Sequence, residues 1–221
     1  MKLCIQLFLI VALITSCRNH HIKRLKSNSL KTDTLITDVP KWYNRSDLSE
    51  KRDAQVLNSL ELASLQNGFD SLQIRIWIGC DYKTASSLIL FEKARSEWNA
   101  VFYWFKIDDD GLMNVKAKDI HAENRSPKSG WNIFCKNLIQ TGIIDLPDET
   151  KFDKGKFFRP FDGNGVTVEI GMRHKFRVYG YPELGFNSHI KEGPWKLHRA
   201  LKLIESEFGY KRPCQDSAHI Q

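Results

Sequence analysis

The sequence predicts an α+β fold, an antiparallel sheet built from hairpins with about three helices packed mainly on one side. Three observations carry that expectation. Apolar and polar residues alternate with period two in several stretches, and short turns rather than crossover helices join them, as antiparallel neighbours require. Further stretches hold apolar residues at helical spacing between recognisable ends. The order along the chain is helix, strands, helix, hairpin, helix, which groups the strands instead of alternating each with a helix.

Taken in order, Asp47 to Leu65 can form a helix, with Ala54, Leu57, Leu60, Glu61 and Leu65 on neighbouring turns and Asn67-Gly68 as its break. Leu72 to Cys80 is the clearest strand: Ile74, Ile76 and Ile78 share one face, Gln73, Arg75 and Trp77 the other. A second strand covers Ser87 to Glu92 and a third Trp98 to Ile107, separated by a charged turn at Lys93, Arg95 and Glu97. The third has aromatics on both faces, Tyr103 and Phe105 against Phe102 and Trp104, which marks either a strand covered on both sides, the preferred reading, or one covered face and an aromatic recognition face. Asp108-Asp109-Asp110-Gly111 closes it as a turn. With Gly111 at the sixth position of a calcium-binding loop, Lys106 and Ala117 would stand where oxygen ligands are needed, so calcium is set aside. Val115 to Glu123 supplies the returning strand.

Ser126 to Gly142 predicts a helix with Ser126 or Ser129 as N-cap and Trp131, Phe134, Cys135 and Leu138 as its buried stripe. Ile143 to Asp148 leaves it extended, because Pro147 pushes Leu146 out of helical angles. Asp162-Gly163-Asn164-Gly165 is a turn without the spacing of a phosphate loop. Gly165 to Gly171 and Phe176 to Tyr181 alternate and form a hairpin. Pro194 opens the last helix, whose Leu197, Ala200, Leu201, Ile204 and Phe208 share one face before Gly209 ends it.

The N-terminus is of a different kind. Met1 to Cys17 reads MKLCIQLFLIVALITSC: a cation at Lys2, an apolar run from Leu3 to Ile14, then small and polar residues ending in cysteine. That order is a secretory signal, not a fold element. The run is well short of the roughly 20 residues a membrane-spanning helix needs. Ile14-Thr15-Ser16-Cys17 resembles the lipobox of bacterial lipoproteins. In that family the cysteine thiol receives a diacylglycerol, the chain is cut before it, and the new amine is acylated, typically with palmitate-class chains. The resemblance implies a signal peptide at 1–16, lipidation of Cys17 and attachment to the cell membrane after export. Arg18, where an aspartate would retain the protein, resembles the outer-membrane sorting pattern of bacteria with two membranes. Buried acyl chains contribute roughly 0.8 kcal/mol per methylene, enough for two or three to hold a domain on a bilayer.

Residues 17–46 then read as a lipidated terminus and polar linker, with Arg18, Lys23, Arg24, Lys26 and Lys31 beside the anchor, and 47–221 as one globular domain. The composition, 42% hydrophobic and 27% charged, suits a core built without a cofactor. The net charge of +7 would suit nucleic acid or an anionic surface, and export leaves the surface as the partner, not nucleic acid. Beyond Cys4 and Cys17 the cysteines are Cys80, Cys135 and Cys214, which allow at most one intramolecular disulfide without naming its members.

Chemistry is sparse. His20 and His21 are adjacent and make no metal site; no metal ligand set and no cofactor motif is present. There is no GxSxG and no HExxH, and His121, His174, His189 and His198 fall on unrelated elements. Cys80 or Cys135 beside a histidine would be the thiol candidates, and Asp145, Asp148 and Glu149 the acids for sugar hydrolysis, but neither set has a spacing that assigns a catalytic residue. Three readings compete: a non-catalytic envelope lipoprotein binding an envelope protein, peptide or glycan; an inhibitor or immunity-type lipoprotein; and an envelope hydrolase. The first is preferred, with Trp77, Tyr179 and Tyr181 as the aromatics expected to be exposed for binding.

Overall fold

The computed structural model describes residues 36–40, 54–79, 85–109, 115–152 and 165–212. Seven strands form one sheet: β1 (Ile36–Asp38), β2 (Leu72–Gly79), β3 (Ala85–Ala94), β4 (Glu97–Asp109), β5 (Val115–Asn124), β6 (Gly165–Met172) and β7 (Lys175–Pro182). Across the sheet they run β1-β7-β6-β2-β3-β4-β5. Helical segments are α1 over 54–59, α2 (Trp131–Gln140), α3 (Leu184–Asn187) and α4 (Pro194–Phe208), with one 3-10 turn at Glu149–Lys151. The α+β class is therefore observed.

The expectation of a purely antiparallel sheet is corrected. Five neighbouring pairs are antiparallel, but β1 lies parallel to β7, with Ile36 opposite Lys175 and Asp38 opposite Arg177. Antiparallel pairing is dictated where a tight turn joins neighbours, and β1 and β7 are separated by most of the chain, so no turn constrains their direction. The linker reading likewise does not extend to Ile36–Asp38, which belong to the sheet.

The core hairpins follow the alternation of the sequence. Two-residue turns at Arg95-Ser96 and Arg173-His174 join β3 to β4 and β6 to β7. Between β4 and β5 the register shifts: Trp104 faces His121 and Lys106 faces Lys118, so Phe105 opposes both Asp119 and Ile120. Asp119 takes a left-handed φ of 52°, the conformation a bulge of this kind requires, and its carboxylate accepts from Lys106 Nζ at 2.9 Å.

Helix ends deviate from expectation in two places. α1 stops well before Leu65. The Leu62 N–H reaches back to the Leu57 carbonyl at 2.8 Å and that of Glu61 to Asn58 at 3.0 Å, the paired bonds of a Schellman stop, with Glu61 at φ 55° in the place where glycine is usual. α2 begins after Gly130 at φ 82°, so neither Ser126 nor Ser129 caps it. The Ser129 N–H donates instead to Glu207 Oε2 at 2.8 Å and the Lys128 N–H to the Glu207 carbonyl at 3.0 Å, tying the start of α2 to the end of α4. Phe134, Cys135 and Leu138 of α2 are buried, as are Leu197, Ala200, Leu201, Ile204 and Phe208 of α4.

The main core lies between these helices and one sheet face, where Ile74, Ile76, Ile78, Ile89, Phe91, Phe102, Val168 and Ile170 meet them. The opposite face is covered by α1 and the irregular segment after it. Leu60 packs with Leu88, Phe105 and Ala117, and Leu65 with Phe176 and Val178. Gly171 makes that cover possible: a Cβ there would stand 2.9 Å from Leu65 Cδ2 and 3.1 Å from Phe69 Cβ.

Candidate functional site

Cys17, His20, His21, Cys80 and Cys214 lie outside the described residues, as do Asp110, Gly111 and the 162–164 turn. The binding aromatics fall inside, and the expectation that they are exposed is corrected for the two tyrosines. Tyr179 and Tyr181 are buried because β7 is covered on both faces: Arg177, Tyr179 and Tyr181 point to the helix-covered face, and Phe176 and Val178 are buried on the other. Tyr179 Oη donates to the Ile143 carbonyl at 2.6 Å and Tyr181 Oη to that of Pro147. Burial pushes both phenols well above their usual pKa, and neither ring is free for a ligand. Trp77 is half-buried, edge-on to Phe105 at 6.5 Å between centroids, in the smaller core.

These tyrosines belong to a device that holds the segment 143–150 against β7. The Arg177 guanidinium donates to the carbonyls of Ile144 (2.8 Å) and Leu146 and to Asp38 Oδ2 (2.8 Å). Asp148, buried, accepts from Thr150 N–H at 2.9 Å, from Thr150 Oγ1 at 2.7 Å and from Gly180 N–H at 3.0 Å. The last bond matters most: β1 pairs with β7 only as far as Arg177, and Asp148 satisfies a β7 amide beyond that point. Asp145 is largely exposed, 3.9 Å from Arg177. The loop acids thus do different structural work, one capping a strand edge and one at the surface.

Cys135 is buried on α2, where burial raises its thiol to about 11 despite the opposing charge of Lys93. At neutral pH it is a protonated, apolar-packed thiol rather than a nucleophile. His198 is held below its usual pKa by burial and by Arg212 and Lys202. His174 and His189 sit in the β6–β7 turn and the α3–α4 connection. Among the described residues no group of three His, Cys, Asp or Glu side chains could hold a metal ion, and no helix is long and apolar enough to cross a membrane.

What the structure does bring together is a ring-and-cation cluster at the β5 edge, unannounced by any motif. The Arg125 guanidinium lies over Trp104 and Phe102, 5.2 and 5.3 Å from their centroids, and donates to Glu123 Oε2 at 2.7 Å and to the Phe208 carbonyl at 3.0 Å. His121 packs on Trp104 at 5.6 Å, and Tyr210 packs on the other flank at 6.1 Å. The Tyr210 phenol shares a 2.6 Å hydrogen bond with Ser87 Oγ, and burial moves its pKa up to about 12. Beside this cluster β5 turns an exposed outer edge, from Lys118 to Ala122, to solvent, and Ile120 is 41% exposed there. Among the described residues no strand pairs with that edge. Trp104 and His121 were visible only as an aromatic in one strand and a lone histidine in another; the register that pairs them comes from the bulge at Asp119.

No protein-family model matches this chain, and comparison with curated proteins finds no similar sequence.

Proposed function

We propose that the protein is a lipid-anchored lipoprotein of the cell envelope whose domain is a non-catalytic binding module for an envelope protein, peptide or glycan. It is exported by the leader at 1–16, held by acylated Cys17, and carried on to the outer membrane where the bacterium has two. The observation that carries the binding reading is β5, an exposed outer strand beside the Trp104, His121 and Arg125 cluster. A strand with an open edge offers main-chain donors and acceptors to an extended partner, and an aromatic beside it offers a face for side chains or sugar rings. The bulge at Asp119 and the lysines at 116 and 118 limit this edge to selective pairing, since both features oppose indiscriminate strand addition.

The test is a photo-crosslinking residue at position 120 in the protein as it sits in its own membranes. A discrete adduct that disappears with His121→Ala, while the variant melts at the wild-type temperature, is the expected result. No adduct, or one indifferent to His121, would sink the β5 reading. Intact mass of the same preparation reads the anchor: loss of residues 1–16 and gain of acyl mass are expected.

A further inference from the structure

We propose that the end of the sheet at which the tether enters is a membrane-contacting surface for anionic phospholipid headgroups, a step that rests on Cys17 being the anchor. The strand register defines that end. Ile36, the first residue of β1, lies opposite Lys175, and Leu72, the first of β2, lies opposite both Met172 and Lys93. The start of β1, the Arg173-His174 turn and the Arg95-Ser96 turn therefore share one end, while Gly79, Gly165 and Pro182 share the other. The chain running back to Cys17 leaves from Ile36, itself 62% exposed.

The chemistry of this end fits a headgroup layer. Each turn tip carries an exposed arginine, Arg95 and Arg173, with His174 exposed beside the second and Lys93 and Lys175 half-buried behind them. Trp98 and Trp131 stack at 6.4 Å with planes 13° apart, both half-buried, and Lys93 Nζ sits 5.9 Å over the Trp98 ring. Tryptophan is favoured at the depth where headgroups meet acyl chains, and arginine and lysine engage phosphates there. Among the described residues the acids at this end include Asp70, Glu92, Glu97 and Asp145; Glu92 accepts from Gln73 Nε2 at 2.8 Å, and Asp145 lies 4.0 Å from Lys175 and 3.9 Å from Arg177. In the sequence Arg18, Lys23, Arg24, Lys26 and Lys31 fall between Cys17 and Ile36. The β5 edge from Lys118 to Ala122 pairs with β4 between Tyr103 and Lys106, well along the strand from the Arg95-Ser96 turn, so contact at this end leaves it clear of the bilayer.

The experiment reconstitutes the protein, purified from its own membranes, into phosphatidylglycerol or phosphatidylcholine vesicles carrying phospholipids brominated near the glycerol end of their chains. Quenching of tryptophan fluorescence is expected in phosphatidylglycerol, lost in the Trp98→Phe, Trp131→Phe double variant. Reversing both turn tips, Arg95→Glu with Arg173→Glu, should weaken contact on the order of tenfold or more. Quenching that is equal in the two lipids, persists without the two tryptophans, or ignores charge reversal overturns the proposal. A melting curve on each variant guards against misfolding. If intact mass shows Cys17 unmodified, the anchor reading fails on its own. Co-sedimentation of that preparation with the same vesicles then decides the surface: phosphatidylglycerol pelleting abolished by charge reversal supports it, and its absence overturns it.

Discussion

The two faces of the sheet solve the same burial problem with different materials. On the helix-covered face, β2 presents Ile74, Ile76 and Ile78 to α2 and α4, and the contact is apolar because a helix satisfies its own backbone. On the other face, the same strand presents Gln73, Arg75 and Trp77. Arg75 is 2% exposed, donating through Nη2 to the Ala63 carbonyl at 2.6 Å and through Nε to Gln73 Oε1 at 2.9 Å, with Nη1 3.8 Å from Glu169. Gln73 passes the chain on to Glu92 at 2.8 Å. The cover here is an irregular segment, and irregular backbone brings carbonyls that need donors. The lesson is that the regularity of the covering element sets the polarity of the sheet face beneath it.

The strongest way to break this comparison is Arg75→Ala. It removes the donor to the Ala63 carbonyl and the cation beside the buried Gln73 and Glu169 side chains, and a loss of about 3 to 5 kcal/mol in denaturant unfolding is expected. A loss under 1 kcal/mol would show the polar layer to be wet or dispensable. On the opposite face, Ile76→Ala should cost about 3 kcal/mol through lost transfer energy and a cavity, with no change in the pH dependence of stability. The smallest effect sharpens the role of the stop after α1. Glu61→Gly relieves a left-handed residue of its Cβ and should stabilise the protein by up to about 1 kcal/mol, read as a rise in melting temperature. A fall would mean that the Glu61 side chain contributes more than its backbone strain costs.

The apolar face was readable from the sequence because its signal is local. Ile74, Ile76 and Ile78 alternate within one strand, and Leu197 to Phe208 repeat within one helix. The polar layer was not, since nothing near Arg75 in the chain announces that Ala63 will need a donor. The same limit hid β1: Ile36-Thr37-Asp38 has no period, and its pairing with β7 is sealed by Arg177 and Asp38, 139 positions apart. Tyr179 and Tyr181 misled for a related reason. When both faces of a strand are covered, alternation no longer tells inside from outside, and all of β7 from Phe176 to Tyr181 is buried. The β5 cluster depends on a one-residue bulge that only the register reveals.

The outer position of β1 beside β7 also decides how the domain takes a mechanical load. A pull arriving from the N-terminal side enters at Ile36 and runs along the strand toward Asp38. Force along the axis of β1 strains the β1–β7 hydrogen bonds together, in shear, where a pull across the strand would let them peel apart one at a time. The Arg177–Asp38 ion pair at the far end of β1 acts as the stop, and its guanidinium passes the strain to the carbonyls of Ile144 and Leu146. A pull from this side is therefore resisted by β7 and by the segment that Arg177 holds against it together.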